Sequence, residues 1–202
     1  MRLNTNMQNK DVIIIKYLIE HKNEELSIRN ISFALKIDYK NVHSMVKRLE
    51  HNSLVKLESF GPSKRVKLIQ KIHPLIFEAE YLRREEILKD KNMSVMLNEF
   101  KKVINTKYFI LLLFGSYAKK TQTKSSDIDL MFIVPERQEE ICEKSIISQA
   151  RLLPLPLHCL VFSENQFLEM LNSQKLNVGK EALKNNIVLY GVESYYEMFQ
   201  IG

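Results

Sequence analysis

The sequence holds only two cysteines, Cys142 and Cys159, in 202 residues. Each sits in an apolar pattern. The expectation is two buried free thiols in a reducing cytoplasm, and neither a disulfide nor a zinc site is expected. Long hydrophobic runs are also missing. The longest, Phe109–Phe114, is strand-sized and far short of the roughly 20 residues of a membrane-spanning helix. Met1–Lys10 is polar and lacks the apolar centre of a secretory leader. No membrane association is expected. Internal repeats and low-complexity stretches are absent. With 45% hydrophobic and 27% charged residues, the chain has the composition of an ordinary globular protein rather than a disordered one. Its length suits one large domain or two small ones.

Charge is unevenly spread. Residues 1–72 carry 14 Lys and Arg against 7 Asp and Glu, while residues 73–202 carry 16 against 17. All of the net +6 excess therefore lies in the first third. A basic module beside a neutral one suggests that the first part meets a polyanion.

Within that basic third, "DVIIIKYLIEHK" places Ile14, Ile15, Leu18 and Ile19 at helical spacing. Ser27 is placed to cap a second helix carrying Ile31 and Leu35, and Asp38 to cap a third. The third buries Val42, Met45, Val46 and Leu49 and presents Tyr39, Lys40, Asn41, His43, Ser44 and Lys47 on its other face. His43 and His51 read as surface residues. "LVKLES" and "RVKLIQ" then alternate like strands around the turn residues of "FGPSK". Three short helices and a hairpin resemble the winged helix-turn-helix of MarR- and ArsR-like DNA-binding modules. The resemblance covers about residues 11–70. It implies that the third helix enters the major groove with Tyr39, Lys40, Asn41, Ser44 and Lys47 facing DNA. Lys64 and Arg65 of the wing would meet phosphate. A docking or dimerisation module is the alternative.

His73-Pro74 ends the wing, and Pro74 suits a first helical turn. A helix is expected over residues 74–90, with Leu75, Ile76, Ala79, Leu82 and Ile87 on one side. A break is expected at Asn92-Met93-Ser94. A second helix then carries Val95, Met96, Leu97, Phe100, Val103 and Ile104. The cluster Arg83-Arg84-Glu85-Glu86 reads as a solvated face with i,i+4 pairs. The domain reading is 1–72, a helical connector at 73–106, and 107–202.

The second part contains "FILLLFGSYAKKTQTKSSDIDLMFIV". A buried strand ends in Gly115-Ser116. Twelve residues after the glycine comes Asp127, followed by Asp129 inside another apolar run. Period-2 alternation points both carboxylates the same way. Like charges so placed repel unless a cation lies between them, and both stay ionised at little cost if they share a divalent metal. Gly115 lets the backbone approach a phosphate, and Ser116 can donate to it.

This segment resembles the signature of the DNA-polymerase-β-like nucleotidyltransferases, in particular the minimal members. The resemblance covers about residues 91–202 and includes the tail, with Ser163 and Gln166 as a capping box and a final strand at Ile187–Tyr190. The implied fold is α+β: a winged helix-turn-helix joined by helices to a nucleotidyltransferase-fold α/β domain with a small mixed sheet. The implied ligands are Mg²⁺, held by Asp127 and Asp129, and an NTP, ATP first among them. Gly115, Ser116, Lys119 and Ser126 would bind the nucleotide. Small members pair with helical toxin partners, which makes such a protein an expected partner alongside DNA, and a homodimer is also expected.

The family's third carboxylate is missing. The helix after Asp129 is expected at about residues 138–150, and the next strand, "LPLHCLVF", puts His158 at that position. No Asp follows Asp129. A histidine can act as a general base but is a poor ligand for Mg²⁺. Lys119 and Lys120 stand where small members often have Arg and Gly. Two readings remain. One is an enzyme with Asp127, Asp129 and His158 catalytic, transferring NMP from NTP to a protein, RNA or small-molecule hydroxyl. The other is a DNA-binding regulator whose transferase fold is a degenerate nucleotide sensor or scaffold.

Overall fold

The computed structural model describes residues 10–61 and 63–199. The polar stretch before Lys10 and Pro62 of the expected turn lie outside the described residues. Contacts divide the chain into two compact units, 1–82 and 83–202.

The first unit begins with α1 (Lys10–Glu20), α2 (Ile28–Leu35) and α3 (Tyr39–His51). α2 starts where the sequence pattern places it, at a capping box. Ser27 Oγ accepts from the Asn30 amide at 3.2 Å, and the Ser27 amide donates to Asn30 Oδ1 at 3.0 Å. It stops at Lys36, which adopts the left-handed conformation with φ 54°. Asp38 caps α3 by accepting from the Lys40 amide at 2.9 Å. α3 buries Val42, Met45, Val46 and Leu49 against Ile14, Ile15 and Leu18 of α1. Arg48 of α3 donates through Nε to the buried Asp11 carboxylate of α1 at 2.7 Å. β1 (Val55–Phe60) and β2 (Ser63–Leu68) form an antiparallel hairpin. β2 is held a second time, by a bridge from Arg65 to Ser27 and by the Val66 amide donating to the Leu26 carbonyl at 2.7 Å. The hairpin is thereby fixed to the start of α2.

α4 (Pro74–Leu88) carries the chain from one unit into the other. It ends two residues earlier than expected. The break falls at Lys89-Asp90, not at Asn92–Ser94, because Asp90 caps the next helix by accepting from the Asn92 amide at 2.8 Å. That helix, α5 (Lys91–Val103), lies wholly in the second unit, with Met93, Met96, Leu97 and Phe100 in its core. Arg83 also departs from the solvated face expected for its cluster. It is 5% exposed, and its guanidinium donates to the Asn186 carbonyl.

The second unit is built on β3 (Ile110–Phe114), β4 (Ile128–Val134), β5 (Leu157–Ser163) and β6 (Ile187–Tyr190), in the order β5-β4-β3-β6. β4 runs antiparallel to β3 and parallel to β5, so the sheet is mixed. α6 (Gly115–Ala118) follows β3, and α7 (Glu139–Ala150) makes the crossover from β4 to β5. α8 (Glu164–Asn172), α9 (Val178–Lys184) and α10 (Val192–Met198) complete the unit. Leu111, Leu113, Leu130 and Phe132 pack with α5 and α7 on one face, where the Phe100 and Phe132 rings meet edge-on at 5.0 Å. Alternation sends Asp129, Met131 and Ile133 to the opposite face, where α8, α9 and α10 contact β4 and β3. Asp129 is therefore the polar residue of an otherwise apolar row. Burying such a row stabilises each strand by roughly 25 cal/mol per Å² of apolar surface. That stabilisation is what holds a carboxylate at a sheet position in place.

Candidate functional site

β3 runs directly into α6 with no intervening loop. The turn is possible because Gly115 takes φ +65°, a region that favours glycine. The residue is also demanded by space: a Cβ there would lie 2.1 Å from Asp129 Oδ2. The backbone at the start of α6 is thus pressed against the Asp129 carboxylate. Register explains the proximity, since Phe114 pairs with Asp129 across β3 and β4.

Asp129 also pairs in register with His158 across β4 and β5. Its Oδ1 lies 3.0 Å from His158 Nδ1. The side chains are 26% and 56% exposed, so the pair is open to solvent. An ionised carboxylate only accepts, so its partner nitrogen carries the proton. In that tautomer the lone pair of the ring is on Nε2. The position where the resemblance expects a third carboxylate therefore holds a histidine oriented by the carboxylate beside it.

Asp127 is exposed and sits just before β4. The amide of Ile128 donates to the Pro156 carbonyl at 2.7 Å, which ties the start of β4 to the chain entering β5. Ser116 is half-buried in the first turn of α6. Lys119, at the end of α6, forms an ion pair with Glu181 of α9 at 3.1 Å. The Ser126 hydroxyl accepts from the Thr123 amide at 2.9 Å and lies 3.1 Å from Thr123 Oγ1, so it folds the loop before Asp127. Lys120 in that loop has φ +56°. Among the described residues no group of three His, Cys, Asp or Glu side chains is placed to hold a metal. The oxygen donors that fit Mg²⁺ are the two aspartates, and that ion is commonly held by one or two carboxylates completed by substrate phosphates and water.

In the first unit, Tyr39, Lys40, Asn41, His43, Ser44 and Lys47 are exposed on α3, as the spacing requires. Lys47 pairs with Glu50 at 2.8 Å. Lys64 is exposed on β2. Arg65 has a different setting from Lys64. Its guanidinium binds Glu58 at 2.7 Å and also binds Glu25, and these contacts join the hairpin to the turn before α2. A groove of about 1140 Å³ lies between α2, α3 and the hairpin, lined by Tyr39, His43, Lys47, Lys64, Arg29 and Asn30.

Several residues of these sites carry no clear mark in the sequence. Arg29 and Asn30 are on a helix that the pattern does not assign to the nucleic-acid face. Glu181, the partner of Lys119, lies 62 residues away, and no local pattern announces it. Gly191 does carry a signal, a glycine directly after a strand. Its φ is +76°, and a Cβ there would sit 2.5 Å from the Phe109 carbonyl oxygen.

Residues 98–194 match the family model described as Polymerase beta, Nucleotidyltransferase. Among solved structures, the chain is similar to MepR, a transcription regulator of the Staphylococcus aureus multidrug efflux pump MepA. Identity there is 18%, coverage 48% of this chain and 77% of that one, and the TM-score 0.35. It is similar to a MarR family protein from Bacillus stearothermophilus at 19% identity, 49% and 74% coverage and a TM-score of 0.35. A toxin–antitoxin structure with AMP-PNP is similar at 20% identity, 55% and 80% coverage and a TM-score of 0.38. No curated protein matches the chain. The second unit has a nucleotidyltransferase-type fold of the polymerase-β-like kind. The three helices and hairpin of the first unit make a winged helix-turn-helix. Among the described residues no helix is long and apolar enough to cross a membrane.

Proposed function

We propose that the protein is a Mg²⁺-dependent nucleotidyltransferase that moves NMP from an NTP, ATP first among candidates, to a hydroxyl of a protein, RNA or small molecule. The single observation that supports this most is the contact between Gly115 and Asp129. A backbone able to approach phosphate and a carboxylate able to hold a metal share one point. Gly115 and Ser116 cradle the β- and γ-phosphates. Lys119 leaves Glu181 to meet phosphate charge. Asp127 and Asp129 hold Mg²⁺, which supplies charge neutralisation on the phosphoryl oxygens when bound. His158 Nε2 takes the proton of the acceptor hydroxyl as its oxygen bonds to the α-phosphorus. The bond from that phosphorus to the β-phosphate oxygen breaks, and pyrophosphate leaves.

The winged helix brings this chemistry to DNA in the cytoplasm. Tyr39, Lys40, Asn41, Ser44 and Lys47 face the major groove, Lys64 meets phosphate from the wing, and a homodimer would present two such faces. The net +7 of residues 1–72 supports an anionic partner. A helical toxin protein is a further candidate partner and acceptor. A second reading, a DNA-binding regulator with a degenerate nucleotide sensor, draws on one feature: the β5 position beside Asp129 holds an imidazole in place of a carboxylate.

Transfer of label from α-³²P-labelled ATP, CTP, GTP or UTP, with Mg²⁺, into a host-cell extract decides between them. The Asp127→Asn, Asp129→Asn variant is the control. Label that needs both aspartates supports the enzyme and names the acceptor class. Absence of label, together with Mg²⁺–ATP binding that alters DNA affinity, favours the sensor. Absence of both label and nucleotide binding sinks each reading of this site.

A further inference from the structure

The second unit has a sheet edge that the nucleotide chemistry does not use. β5 is the outermost strand. It pairs with β4 on one side and, among the described residues, with no strand on the other. Alternate N–H and C=O groups of Leu157–Ser163 therefore point away from the sheet. Such edges are normally blunted by lysine, proline, a bulge or a covering element. β5 has no lysine and no proline, its register with β4 is unbroken, and Leu157 and Cys159–Phe162 are only half-buried.

Beside this edge lies a shallow groove of about 570 Å³ between α7, β5 and α8. Val161, Phe162 and Met170 contribute its apolar surface, and Glu139, Glu140, Glu143 and Glu169 line it from the two helices. None of these four carboxylates has an ion-pair partner among the described residues. Some acids elsewhere in the unit are paired, Glu99 with Lys102 and Glu181 with Lys119, and these four stand apart because they lie together around one groove. Four unpaired like charges around an apolar surface select the occupant. A second copy of this chain would bring the same four glutamates to the junction, and like charges set opposite one another destabilise pairing. A cationic strand relieves the repulsion.

We propose that this edge and groove dock an extended segment of another protein in which apolar residues alternate with Lys or Arg. Its backbone adds to β5 as a new strand. Its apolar side chains lie on Phe162 and Met170, on the face of the sheet that α8 covers, and its cations, one residue out of phase, meet Glu139, Glu140 and Glu143 of α7 on the other. The inference does not depend on the nucleotide chemistry.

The test is fluorescence anisotropy with the full chain and a fluorescein-labelled decapeptide of alternating valine and lysine. Three further peptides accompany it: alternating valine and glutamate, the valine–lysine composition in two blocks, and the alternating peptide N-methylated along one edge. The expected result is saturable binding of the alternating valine–lysine peptide, with each of the other three weaker by about tenfold or more, about 1.4 kcal/mol. A Glu140→Lys, Glu143→Lys variant with unchanged circular dichroism loses at least about as much. Equal binding of the blocked or N-methylated peptide reduces the effect to charge alone and overturns the proposal, as does no binding of the alternating peptide. A dimer in sedimentation that Leu160→Pro dissociates gives the edge to a second copy and overturns it as well.

Discussion

At the scale of single residues, the site rests on a glycine as much as on its acids. Gly115 is in the left-handed region and faces Asp129 Oδ2 at a distance that leaves no room for a methyl group. Gly115→Ala must therefore both strain the backbone, at a cost of about 1–3 kcal/mol, and push the carboxylate from its place. The expected outcome is a lowered melting temperature of the second unit and at least about a tenfold loss of Mg²⁺–ATP affinity by titration calorimetry. A Gly115→Ala variant that binds nucleotide normally would show that the contact has no part in the site. Cys159 offers a check on β5 itself. Burial pushes its thiol up to about 12, and burial first, then Glu139, raises that of Cys142. Thiolate is the reactive form, so at pH 8 iodoacetamide should leave Cys159 unmodified in the folded chain and alkylate it in urea, as read by mass spectrometry.

At the scale of elements, the hairpin of the first unit depends on charge. The Lys56 ammonium first, and the Arg65 guanidinium second, hold Glu58 down to about 2 from its ordinary 4.5. A carboxylate whose folded value is depressed stabilises the fold fully above its unfolded value and loses that contribution as pH falls through the folded one. Hydrogen-exchange protection of β1 and β2 should therefore decline between about pH 4.5 and pH 2, and Glu58→Gln should flatten that decline. A variant with the same pH dependence as wild type would remove Glu58 from the account. The elements themselves were largely legible in the sequence, because their signals are local. Ser27, Asp38 and the Ser163–Gln166 box cap the helices they were expected to cap. The apolar runs at Ile110–Phe114 and Ile187–Tyr190 are strands. What escaped was set by distant partners. Arg83 is buried because the Asn186 carbonyl receives it. Arg65 is engaged because Glu25 and Glu58 reach it. α5 belongs to the second unit because its apolar stripe packs under β3 and β4. A periodic pattern announces a buried face without naming what buries it.

At the scale of the whole molecule, the proposed function gives the two units different work, so charge and carboxylates can be tested apart. The residues proposed to bind nucleotide lie between Gly115 and His158, within residues 83–202, and those proposed to face DNA lie between Tyr39 and Lys64, within residues 1–82. Lys→Ala at Lys40, Lys47 or Lys64 should weaken DNA binding at all sequences and reduce the slope of log affinity against log salt by about 1 for each phosphate left unneutralised. Lys47 is the instructive case. Glu50 already holds it, so DNA must compete with that carboxylate, and Glu50→Gln should tighten binding where Lys47→Ala weakens it. The Asp127→Asn, Asp129→Asn variant should leave both the affinity and the salt slope unchanged while Mg²⁺–ATP no longer binds. A change in DNA affinity on losing these aspartates, in the absence of nucleotide, would mean that the carboxylates report to the winged helix without a ligand. Unchanged DNA binding in the apo state, with a shift on adding Mg²⁺–ATP only in wild type, would make the nucleotide an effector of the DNA-binding unit. By reciprocity of linkage, operator DNA would then change the affinity for nucleotide by the same factor.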